Sequence, residues 1–149
     1  MDDLILLIHI LSAAVWIGTA VFFGYAGPRF RQIGGPSVTA WVEVALSAIP
    51  RVVTPAALLT LLSGVSLVLI KDEWGWGDAF VWIGLAVFAS VLAIGLGWNA
   101  PNMRRGLSAL QAGDFPAVAP AMRRVATGGL VMISLLIFAE VAMVYRLGA

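Results

Sequence analysis

The chain has 149 residues, of which 61% are hydrophobic and 11% charged, far below the roughly 25% charged residues of an average soluble domain. With a formal net charge of +1 nothing suggests a nucleic-acid surface, and the absence of cysteine excludes disulfides and thiolate metal sites. One membrane domain accounts for the whole length.

Four apolar stretches, at about 4–27, 52–70, 79–98 and 125–145, are each long enough to cross a ~30 Å hydrocarbon core at ~1.5 Å per residue. The first is preceded by Asp2 and Asp3 instead of a basic region and exceeds the apolar core of a secretory signal, so it reads as a retained span. Within it His9, Ser12, Ala13, Trp16, Thr19, Ala20 and Phe23 recur at three- and four-residue steps and share one face, which predicts a bundle interior. Ala20 and Gly24 form a small-xxx-small pair, echoed by Ser63, Gly64 and Ser66 in the second span.

The segment after the first span, with Gly34, Gly35 and Pro36, reads as a loop, and residues 37–49 as a short interfacial helix leading into the second span. Pro55 reads as a mark of that span's start. The link holding Lys71, Asp72, Glu73, Trp74, Trp76 and Asp78 makes an antiparallel hairpin, its tryptophans at the membrane boundary. Residues 99–124 carry two arginine pairs and read as short surface helices that meet lipid phosphates, with a protein-docking surface as the alternative. The fold class is therefore all-α: an antiparallel four-helix transmembrane bundle with a short interfacial helix before the second span.

Orientation follows from the basic residues. Arg29, Arg31, Arg51, Arg104, Arg105, Arg123 and Arg124 are seven of the nine, and all lie in the first and third connections. This predicts a multi-pass protein of the cell membrane with both termini extracytoplasmic.

Two ionisable residues fall inside the spans. His9 lies about 7 Å and Glu140 about 10 Å from the same end, so one layer holds both, with Lys71 and Ser66 as neighbours. Three readings stay open at this point. The two groups satisfy each other within contact range, or His9 is a metal or haem ligand, or the pair relays protons. Met103, Met122, Met132 and Met143 show no soft-ligand spacing for copper. No nucleotide loop, zinc-protease motif or activated nucleophile is present to support hydrolase or kinase chemistry.

The first span, with Trp16 seven residues after His9 and then Gly18, resembles the opening helix of HemJ-type protoporphyrinogen oxidases and of copper-resistance D-type domains. The second is similar to the matching HemJ-type helix through Arg51, Pro55, Ala56, Leu59, Thr60 and Gly64, and Trp82 is a landmark in the third. The resemblance implies a helical bundle that binds haem b, with the opening-helix histidine functional. Where that family's third helix offers further His and Lys, this chain has Val81, Trp82, Ile83 and Gly84, and near its end only Arg146. The oxidase residues are thus only partly carried over, and an accessory or redox role is the closer expectation than catalysis.

The expected site is a tetrapyrrole slot built on His9 as metal ligand, with Trp16 and Phe23 lining it and Glu140 and Met143 beside it. The alternatives are a structural membrane subunit without cofactor, bound to lipids and other membrane subunits, and a copper or proton pathway through His9 and Glu140.

Overall fold

A computed structural model describes residues 2–33, 36–71 and 73–148. Six α-helices follow in chain order: α1 (Asp2–Ile33), α2 (Pro36–Ala48), α3 (Thr54–Ile70), α4 (Ala79–Ile94), α5 (Ala100–Gln111) and α6 (Phe115–Val144). Four rods are long and apolar enough to cross a membrane, because α2 runs on into α3, and α4 into α5, without a break in helical hydrogen bonding. The protein is an all-α four-helix membrane bundle.

The joins are π-helical turns, Ile49–Val53 and Gly95–Asn99. Each is closed by an i→i+5 bond, Thr54 N–H to Ile49 C=O and Ala100 N–H to Gly95 C=O, and each is followed at the second position by a proline, Pro55 or Pro101. Proline brings no amide hydrogen to the ladder, and a wider turn just ahead of it lets the chain stay helical with its carbonyls re-bonded. Pro55 therefore lies within a continuous rod instead of opening one.

This changes the reading of the connections. The helix before the second span is present and leads straight into it. The expected loop after the first span is largely helical, since α1 passes through Pro28 to Ile33; Gly34 and Gly35, like Asp72, lie outside the described residues. The third connection shrinks to Ala112, Gly113 and Asp114. Gly113 has φ +72°, a left-handed value that glycine adopts without strain, and Asp114 Oδ1 accepts the Ala117 N–H at 3.3 Å to cap α6.

A rod of 35 residues is about 50 Å long, against ~30 Å of hydrocarbon. The surplus lies at the arginine end. There α2 packs on α1 and α5, and α5 on α6, around Val42, Ala121 and Met122. Toward the opposite end the main core is Trp16, Ala56, Ala57, Val87, Val91, Leu136 and Ala139.

Around the bundle axis the outer helices run α3, α1, α6, α4. The α1–α3 seam is close because small residues meet there, with Ser12 and Ala13 on one side and Ala56, Ala57, Ser63 and Gly64 on the other. Trp16 and Phe88, edge to face with centroids 5.5 Å apart, hold α4 away from α1. As a result α3 and α4 scarcely touch, although eight residues join them.

Candidate functional site

The inward face expected of α1 is found: Ser12, Ala13 and Trp16 are buried and His9, Thr19, Ala20 and Phe23 half-buried. His9 projects from the second turn of α1 toward α3. Its Nδ1 lies 2.9 Å from the Thr60 carbonyl oxygen and 3.2 Å from Ser63 Oγ. A carbonyl only accepts, and the Ser63 hydroxyl donates to the Leu59 carbonyl. Nδ1 must then carry the hydrogen, and in the neutral ring Nε2 keeps its lone pair.

The imidazole lies across Gly64, where a Cβ would come within 2.9 Å of His9 Cε1. Ser12 Oγ donates to the His9 carbonyl at 3.0 Å and sits 2.9 Å from Thr60 Oγ1. Four polar side chains thus clasp α1 to α3 inside an otherwise apolar layer.

Beside this clasp is a partly open chamber of about 390 Å³, within the ~300–1,000 Å³ of small-molecule sites. His9, Trp16, Glu140 and Met143, four of the five residues expected at the slot, line it. Its remaining walls are almost wholly apolar and come from α1, α3, α4 and α6. Met143 on α6 packs against neighbouring α4, its Cε 2.5 Å from where a Cβ on Gly84 would stand.

Trp74 and Trp76 roof the end near the α3–α4 loop. Lys71 Nζ and the Arg146 guanidinium lie 5.3 and 5.8 Å from the Trp74 ring centre, and Arg146 pairs with Glu73 at 3.5 Å. Trp76 is tied down as the acceptor, through its carbonyl, of the Trp82 indole N–H at 2.8 Å.

Several expectations are corrected. His9 and Glu140 share the chamber, but neither described hydrogen bond of His9 goes to Glu140: the Thr60 carbonyl, on the helix packed closest to α1, takes that proton instead. Glu140 has no ion pair among the described residues. Ser66 bonds back to the Leu62 carbonyl of its own helix, and neither it nor Lys71 lines the chamber. Phe23 packs on Trp41, with centroids 5.5 Å apart, well outside it. Thr60, Ser63, Gly64, Trp74 and Arg146 were not foreseen as site residues. The available signals were the small residues Ser63 and Gly64 of the second span, and Thr60 and Gly64 within its family resemblance.

Among the described residues no group of three or more His, Asp or Glu side chains is placed to hold a metal ion. The chamber and fold together define a class: a four-helix membrane bundle with an apolar, ligand-sized chamber and a single oriented imidazole. No family profile, curated protein or solved structure matches the chain.

Proposed function

We propose that the chamber binds a tetrapyrrole, haem b or a porphyrin, with His9 as ligand to its metal, and that the protein serves as a redox or accessory subunit of the cell membrane. The observation that carries this is the His9 Nδ1 bond to the Thr60 carbonyl, which fixes the ring and leaves Nε2 as a free donor in an apolar chamber. A histidine held by one nitrogen so that the other can bind metal is the general arrangement of metal-ligating imidazoles.

The residues present fit the group. Trp16 and Phe88, packed edge to face, would form one wall against a flat ring, Met143 offers a thioether, and Arg146 at the rim provides positive charge for acidic substituents. Bound haem would supply one-electron transfer. The chain's own part is to hold and orient the ring and to keep water from it. Titration of the purified protein with haem should give a saturable Soret band; a protein that binds no haem at stoichiometric concentration would remove this reading.

A second reading rests on Glu140. A carboxylate without an ion pair, sharing an apolar chamber with a free imidazole nitrogen, makes a proton-exchange site. Proton flux in proteoliposomes that persists in Glu140→Gln would eliminate it.

We assign the arginine end to the cytoplasm and both termini to the opposite side. A reporter fused after Ala149 should then behave as extracytoplasmic and one inserted at Gly113 as cytoplasmic. The reverse pattern would invert the bundle.

A further inference from the structure

We infer that the chamber opens sideways into the bilayer between α3 and α4, so that it is filled by an amphiphile from the lipid phase and not by a solute from water. The inference builds on the ligand-binding reading above and adds the route and the physical class of the ligand.

Three observations carry it. The seam between α3 and α4 is the one weak seam of the outer bundle, whereas at the arginine end the matching seam is closed by α2 on α5. Its two banks are helical stripes, Leu61, Val65 and Val68 on α3 and Val81, Leu85 and Phe88 on α4, and all six line the chamber. Spaced four and three residues apart, each stripe stays on one face. Counted outward from the hairpin, the two stripes run at matching depths along antiparallel helices.

The aqueous end is built differently. Trp74 lies between Lys71 and Arg146, Arg146 is held by Glu73, and Asp78 Oδ2 accepts the Gly75 N–H at 2.8 Å. Polar contacts tie that roof, while the lateral seam has only apolar side chains, which lipid tails solvate as readily as protein does. A ligand admitted there needs an apolar body. Its polar edge can stay at the rim, where Arg146 favours an acidic group.

The cysteine-free chain allows a direct test. Nitroxide labels on Leu61→Cys and Leu85→Cys, in phosphatidylcholine vesicles without added ligand, would be probed with oxygen, which concentrates in lipid, and with a water-soluble nickel chelate. Oxygen accessibility should be comparable to that of a label at Leu62→Cys, a lipid-facing position 62% exposed, and nickel accessibility several-fold below that at Ala112→Cys in the exposed turn. High nickel accessibility would mean a chamber fed from water, and low values for both a sealed one; either overturns the portal.

A second experiment links route to ligand. Bridging Val65→Cys and Leu85→Cys, which face each other at matching depth, with a bis-maleimide should slow loading of haem from vesicles by about tenfold or more while leaving haem bound beforehand in place. Unchanged loading overturns the portal and leaves the tetrapyrrole reading intact. If the unbridged protein binds no haem, the tetrapyrrole reading falls, and the ligand-free accessibility pair decides the portal alone.

Discussion

His9→Ala should abolish or shift the Soret band obtained on adding haem yet leave a folded bundle. The imidazole is the only nitrogen donor among the side chains lining the chamber apart from the tryptophan indoles and the Arg146 guanidinium, none of which binds iron in its ordinary protonation state. Its loss should weaken haem binding by about a hundredfold or more, close to 3 kcal/mol. The fold loses much less. The Ser63 hydroxyl keeps its bond to the Leu59 carbonyl, so the cost should be near ~1 kcal/mol, the scale of an interhelical hydrogen bond in lipid. Free imidazole added to His9→Ala should restore the band. An unaltered spectrum in the variant would show that the iron is held elsewhere.

Gly64→Val should damage both binding and stability. Any Cβ at this position lies 2.9 Å from His9 Cε1 and 3.3 Å from Nδ1, and the ring cannot withdraw without giving up the Thr60 and Ser63 contacts that orient it. Overpacking of this kind costs about 1–3 kcal/mol, and the displaced imidazole no longer presents Nε2. Haem affinity should therefore fall as in His9→Ala, together with a clear drop in Tm. Gly18→Ala is the matched control: nothing lies within 4 Å of its added Cβ, and neither property should move. A Gly64→Val protein with wild-type stability and haem affinity would refute the cradle.

The spans were legible because each needs about twenty apolar residues, and hydropathy registers that demand directly. The overshoot was legible only in part. Residues 99–124 read as short surface helices, and they are helical, but hydropathy does not register that the first continues α4 and the second opens α6, because a helix that leaves the bilayer has no reason to stay apolar and its partners, Val42 and Met122 among them, lie far away in the sequence. At the site, depth placed His9 and Glu140 in one layer, and both line the same chamber. What bonds His9 could not be read, because the acceptor is a backbone carbonyl, and every residue has one. Depth alone also drew in Lys71 and Ser66, since it says nothing about the direction in which a side chain points around its helix. Arg146 was passed over for the opposite reason: it follows the last span, and only the turn after Val144 brings it back over Trp74.

The two π turns have a mechanical meaning. They sit at matching depths in the two rods whose outer portions bound the open seam, and below them the bundle is closed by its second small core. The molecule is therefore shaped like a clothes-peg, with its spring at the arginine end and its jaws around His9. With its 16 residues α4 is a lever of about 25 Å, so a rotation of about 10° at the Gly95–Asn99 turn would move its tip by about 4 Å, the thickness of one hydrocarbon chain or one flat ring. The jaws could part by that amount while the α1–α3 clasp stays shut.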